Sequence, residues 1–235
     1  MLKTTVMRPI ISILRRISQI ADQFSFDGKT DNQHLRKEIK ILVEEINEKA
    51  LGIQIPSTLP SMPVEVLCGN VYKKWSKFDS GIFAFPKTGD KLPLHDHPKM
   101  EGFIKILKGK LLITSFSLLD SEEEKKLRKE KGEEGNDRIK PAKFEGTYLL
   151  EEAAPEVVSL NSMTGNIHSI ESVDGVGAFF DLLIPGYEQI DGNMPCTYYH
   201  NDVQNPTVGK IYWLRIIPET TLMGELNLPV INDLD

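Results

Sequence analysis

The sequence predicts a mainly β chain of barrel or sandwich type, preceded by a helical N-terminal segment. Two observations carry this. Beyond Pro63 short β-rich runs recur, parted by Gly, Pro, Asp and Asn, which is the texture of a jelly roll or barrel. Before them, residues 1–58 place aliphatic side chains at helical spacing. The size agrees, since 235 residues at 40% hydrophobic content suffice for one all-β domain over 59–235 with a helical segment packed on it.

Bulk properties narrow the function classes. A net charge of −6 argues against nucleic acid as the main partner. Cys68 and Cys196 are the only cysteines, so a disulfide framework is not expected and a reducing, cytoplasmic compartment is the default, with a nuclear location also compatible. No apolar run approaches the roughly 20 residues that a membrane-spanning helix requires. Residues 1–21 carry Lys3, Arg8, Arg15 and Arg16 and no acid, which suits either a mitochondrial transit peptide or an amphipathic helix packed on the domain.

In chain order, a first helix begins at Pro9, with Ile10, Ile13, Leu14, Ile17, Ala21 and Phe24 on one face. Asp27-Gly28 marks a turn. Leu35, Ile39, Leu42 and Ile46 give a second helix with Thr30 or Asp31 as caps, ended by Gly52 and Pro56. A strip of aliphatic residues at this spacing is a packing surface. The strands then follow as GIFAFP, FIKIL, KLLITSFSLL, GTYLLE, EVVSL, NIHSIES, GAFFDLLIP, CTYYH and KIYWLRIIP. Residues 121–140 interrupt them with seven acidic and seven basic residues, and are expected to form a solvated hairpin excursion or a disordered loop.

The chemistry-bearing stretch is LPLHDHPKMEGFIKILKG, from Leu92 to Gly109. Strand alternation puts His95 and His97 on one face and Asp96 on the other. Two imidazoles aimed at one point suit a divalent transition metal, and a third ligand from elsewhere completes a facial set. Among the other histidines, His34 reads as surface and His200 precedes a turn. His168 lies in the β-like run GNIHSIES, and strands far apart in sequence are neighbours in a jelly roll. His168 is therefore the candidate third ligand.

These residues are similar to known motifs. Gly89, His95, His97, Glu101 and Gly109 approximate the first cupin motif, and Gly165-x-x-His168 the second. LPLHDHPKM, GNIHSIES, DLLIPGY and CTYY, taken in order over residues 65–218, resemble the thiol dioxygenases related to cysteamine (2-aminoethanethiol) dioxygenase and the plant cysteine oxidases. The resemblance implies a cupin double-stranded β-helix and a single Fe(2+) held by His95, His97 and His168 without a carboxylate. It implies the addition of both atoms of O2 to the sulfur of cysteamine or of a protein's N-terminal cysteine, giving a sulfinic acid. With a protein substrate the enzyme would act as an oxygen sensor. A monomer is expected.

Glu101 stands where general cupins carry a fourth, carboxylate ligand. Either it points away from the metal, or it binds and directs the site to another cupin chemistry. A cupin that binds a partner without redox chemistry is the third possibility. Asp181, in FFDLLIP, is a carboxylate among apolar residues, costly to bury without a partner. It either hydrogen-bonds a ligating imidazole, receives the substrate amine, or faces solvent from the other side of its strand. Tyr187 aligns with a family tyrosine near the pocket mouth, or is an ordinary turn aromatic. Cys196 and Tyr198 share a strand face, and some animal members of the family join such a pair through a thioether.

Overall fold

The computed structural model describes all residues except 1–8, 27–29, 60–62, 73–76, 153, 155, 188–195, 229–230, 232–233 and 235. Lys3, Arg8 and the expected Asp27-Gly28 turn fall outside the described residues.

Helix α1 (Pro9–Ala21) starts on its proline, whose missing N–H would have had no helical partner in any case. It buries Ile10, Ile13, Leu14, Ile17, Ile20 and Ala21. Helix α2 (Gln33–Glu44) buries Leu35, Ile39 and Val43. Its cap position is Asn32, not Thr30 or Asp31. The Asn32 side chain is spent on the Ser25 backbone (N–H donated to Oδ1 at 3.2 Å, Nδ2 donating to the carbonyl at 2.7 Å), while Asp31 accepts the Gln33 amide at 2.8 Å. Leu42 is only partly buried and Val43 takes the core position, because the packed stripe follows the 3.6-residue repeat through Leu35, Ile39, Val43 and Ile46. The helix stops at Glu44, and Asn47 caps a separate turn, α3 (Glu48–Leu51), by accepting the Ala50 amide at 3.0 Å. Each fully buried aliphatic side chain on these helices contributes roughly 1.5–3 kcal/mol.

The helices cover one face of a six-stranded sheet in the order β12 (Met223–Glu225), β1 (Val66–Tyr72), β2 (Asp79–Phe85), β9 (Gly177–Ile184), β4 (Glu101–Lys108), β7 (Val157–Leu160). The other face meets a second set of strands. There β3 (Lys91–His95), β8 (Ile167–Ser172), β5 (Lys110–Leu118), β6 (Ile139–Glu151), β11 (Ile211–Ile217) and β10 (Tyr198–His200) close into a ring through the pairing of Tyr198 with His95. Apart from β1 with β12, the strand pairings are antiparallel. This two-layer jelly roll is the cupin architecture that the motifs imply.

Strand β9 is buried along its whole length, so it reads as an unbroken apolar run around a single acid. Phe180, Leu182 and Ile184 enter the core under the helices. Phe179, Asp181 and Leu183 face the space between the sheets. Gly109 turns β4 into β5 with φ 71°, and a Cβ there would collide with the Val176 carbonyl oxygen.

Three expectations need correction. GTYLLE is the end of the 13-residue β6, not a separate strand. Strands β1 and β12 add to the expected set, β1 carrying no alternation and β12 spanning three residues. Residues 121–140 contain helix α4 (Ser121–Lys131), not a loop. Nothing in α4 is buried, but Asp120 caps it by accepting the Glu122 and Glu123 amides at 3.0 and 2.9 Å. Acids fill its first turn, bases its last, and Gly132 closes it with φ 68°. Glu124 accepts from Arg128 at 2.9 Å and from Lys140 at 2.7 Å, while Arg128 also donates to the Ile139 carbonyl at 2.8 Å. Charge placement rather than burial therefore orders this segment.

Candidate metal centre

The H-x-H pair sits where β3 ends. The pairing of β3 with β8 shifts register between Leu92 and His95, and from there His95 stands opposite His168 on β8 and opposite Tyr198 on β10. Gly165, at φ 66°, starts the run into β8. The three rings converge, with centroids 4.8 Å (His95–His97), 4.6 Å (His95–His168) and 5.0 Å (His97–His168) apart. One ligand atom from each lies within 4.8 Å of the others, and all three residues are buried.

Two of the three rings are oriented from behind. Nδ1 of His95 is 2.8 Å from the Pro93 carbonyl oxygen; that oxygen only accepts, so Nδ1 carries the proton and Nε2 keeps its lone pair. Nδ1 of His97 lies 2.9 Å from the Tyr187 hydroxyl. The backbone of His97 is gripped by Asn166, which donates from Nδ2 to its carbonyl at 2.8 Å and accepts its N–H at 3.3 Å. Asp96 points the other way, as alternation predicts. It accepts the Thr197 amide at 2.8 Å and the Tyr199 hydroxyl at 2.7 Å, tying the H-x-H turn to β10.

Burial without a counter-charge decides the protonation of the trio. Desolvation, opposed by the bond to Pro93, takes His95 down to about 4. Desolvation first, and then repulsion from the neighbouring rings, hold His97 and His168 well below the usual imidazole range. Three neutral imidazoles thus share one small volume at pH 7. Nδ1 of His168 is buried with no hydrogen-bond partner. Such a donor set, neutral and otherwise uncompensated, fits a divalent transition cation.

Glu101 takes no part. Its side chain lies on the helix side of β4, where Arg36 of α2 grips it at two points, Nε to Oε2 and Nη2 to Oε1, both 2.7 Å. Of the two readings of Glu101, the structure agrees with the one in which it points away from the histidines, since the fork of Arg36 occupies both oxygens.

A cavity of 290 Å³ opens beside the trio, lined also by Asp181, Tyr187, Cys196 and Tyr198. Asp181 is 9% exposed and does not face solvent. Burial pushes its carboxyl up to about 7, helped by the charge of Asp79 and opposed by the Leu182 amide. Burial and then Asp96 push the Cys196 thiol up to about 12, against a hydrogen bond from Tyr187. The Tyr198 hydroxyl donates to Glu219 at 2.9 Å. His34 and His200 are exposed and lie outside this site. Sequence reasoning missed Asn166, Asp79 and Arg36. Asn166 carried a usable signal, a polar residue two positions before a candidate ligand in a β run; Arg36 carried none, being one charge among many on α2.

Residues 42–221 match the PCO_ADO family model. The chain is 31% identical over 184 residues to the 2-aminoethanethiol dioxygenase of Mus musculus, covering 73% of this chain and 69% of that protein. It is 30% identical over 172 residues to the 2-aminoethanethiol dioxygenase of Homo sapiens, covering 68% of this chain and 61% of that protein. Among solved structures it is similar to the Schizosaccharomyces pombe Cnp3 cupin domain, at 14% identity and a TM-score of 0.35 over 55% of this chain and 72% of that one, too distant a likeness to bear on chemistry.

Proposed function

We propose that this chain, which belongs to the PCO_ADO family, is a non-haem iron thiol dioxygenase acting on a 2-aminoethanethiol unit. The observation that carries the reading is the trio of buried, neutral histidines beside a 290 Å³ cavity, with the nearby carboxylate Glu101 held by Arg36. The names of the mouse and human relatives support a thiol substrate and O2.

His95, His97 and His168 would hold Fe(2+). Neutral ligands leave the full charge of the cation in place, which favours a thiolate beside it. When bound, the iron supplies the redox chemistry that joins thiol and dioxygen, R–SH + O2 giving R–SO2H. The protein's own groups do the rest. Asp181 faces the cavity and receives the substrate amine as ammonium, which also returns the carboxyl to its charged form. Tyr187 and Pro93 fix the imidazoles of His97 and His95. Burial keeps Cys196 a neutral thiol, so it does not compete as an anion.

Cysteamine and the N-terminal cysteine of a protein present the same amine and thiol, and both are proposed as substrates. With protein N-termini, oxygen supply would set the extent of sulfination. The free state of Cys68 and Cys196 supports a reducing, cytoplasmic or nuclear setting. The test is anaerobic Fe(2+) loading, followed by mass spectrometry of cysteamine and of a Cys-initiated peptide exposed to air. A gain of about 32 mass units on either is expected. No gain on both would overturn the assignment.

A further inference from the structure

Asp79, the first residue of β2, belongs to none of the motifs that mark the site. Its carboxylate reaches the segment that follows β9, where Oδ2 accepts the Tyr187 backbone N–H at 2.7 Å. The approach is tight. A Cβ on Gly186 would lie 2.8 Å from Asp79 Oδ1 and 2.9 Å from its carboxyl carbon, so a side chain at residue 186 would push the carboxylate from its place. The same Tyr187 brings its hydroxyl 2.9 Å from Nδ1 of His97. Two hydrogen bonds therefore connect Asp79 to a histidine of the trio through a single residue.

The support beneath this connection is rigid. Strands β2 and β9 pair in register from Asp79 opposite Leu183 through Phe85 opposite Gly177. The carboxylate is thus presented by a sheet rather than a loop, which is what an imidazole held in one orientation requires. A hydrogen bond to an ionised acceptor is roughly twice as strong as a neutral one, so a carboxylate suits a turn that must not drift.

We propose that Asp79 is a positioning residue for the metal centre: it fixes the Tyr187 backbone, and so the hydroxyl that sets the His97 ring with Nε2 toward the cation. The inference rests on the three histidines being metal ligands. It goes beyond that reading by adding a carboxylate that touches neither metal nor substrate. Partners that orient a ligating imidazole typically alter metal affinity 10–100-fold.

The test is titration of the metal-free protein with Co(2+), read by its visible absorption bands, for Asp79→Ala, Asp79→Asn, Tyr187→Phe, the Asp79→Ala/Tyr187→Phe pair and Gly186→Ala. Asp79→Ala is expected to weaken Co(2+) binding about tenfold and to change the bands. Asp79→Asn keeps an acceptor oxygen and should stay within about twofold of the parent. Tyr187→Phe should match Asp79→Ala, and the pair should be no weaker than Tyr187→Phe alone, because one acts through the other. Where Asp79→Ala is too unstable to titrate, Gly186→Ala presses a methyl on the carboxylate and should give the same shift. Parental affinity and bands in Asp79→Ala, or losses that multiply in the pair, would overturn the proposal. Cobalt binding is read without turnover, so an inactive parent enzyme with these cobalt results would refute the proposed reaction and leave the role of Asp79 standing. A parent that binds no Co(2+) would sink both.

Discussion

Arg36 and Glu101 form a two-point ion pair across the boundary between the helical segment and the sheet, with both N–O distances 2.7 Å. Glu101 is almost wholly buried, with 5% of its side chain exposed, and Arg36 is about a third exposed at 32%. The pair fastens α2 to the start of β4, four residues beyond His97. It raises the Arg36 pKa, first through the hydrogen bond to Glu101. Its consequence is that the carboxylate four residues beyond His97 serves the fold and is not offered to the three histidines.

Glu101→Gln should therefore leave metal content unchanged while lowering stability by about 1–2 kcal/mol, since the charge-assisted fork is lost and Arg36 can still reach water. Metal analysis and thermal melting of the same preparation read the two effects apart. A loss of most of the metal would restore Glu101 as a ligand.

His168→Ala removes one of three nitrogens and should weaken metal binding on the order of 100-fold or more, abolishing turnover. Metal content after dialysis and oxygen consumption with cysteamine are the measurements. Retained metal with normal turnover would remove His168 from the site.

The Asp181 carboxyl is raised to about 7 by burial, from about 3.9 in an unfolded chain. Between these values the folded protein keeps a proton that the unfolded chain has released. Its contribution to stability is present below about pH 4 and is lost as pH rises through 7. In metal-free protein, Asp181→Asn should gain stability over the parent as pH goes from 5 to 8. With iron, the same variant should raise KM for cysteamine about tenfold, because a charged partner for the amine is gone. A melting difference that is flat with pH would show that Asp181 is ionised throughout.

Asn166 is fully buried and hydrogen-bonds the His97 carbonyl, the His97 amide and the Asn161 carbonyl. Asn166→Ala leaves those groups unpaired and should cost about 1–3 kcal/mol. Because it holds the His97 backbone, it should also weaken metal binding, about tenfold. Thermal melting with and without Co(2+) separates the two, and an unchanged cobalt-induced shift would confine Asn166 to the fold.

Much of the site was legible in the chain itself. The spacing of His95 and His97 on an extended run determined that both rings share a face with Asp96 opposed, since strand alternation is a local rule. The aliphatic stripe of α1 was legible for the same reason, its repeat being fixed by helix geometry. Local rules also explain the failures. The polarity of charge along residues 121–131, acids first and bases last under an Asp120 cap, was present in the sequence but outweighed by its lack of anything to bury.

What only the tertiary structure decided are the contacts between residues far apart in the chain. Whether Glu101 meets a metal or an arginine depends on where α2 lands on the sheet, and nothing near residue 36 or residue 101 encodes that. The inward aim of Asp181 depends on β9 lying between β2 and β4 with both its faces covered, so that period-two patterning disappears and the acid cannot be assigned a side from sequence. The link from Asp79 to His97 needs a bare glycine, a backbone amide and a ring to meet at one turn. A linear chain fixes periodicity and residue type; only closure of the two sheets on each other fixes which distant group each side chain finds.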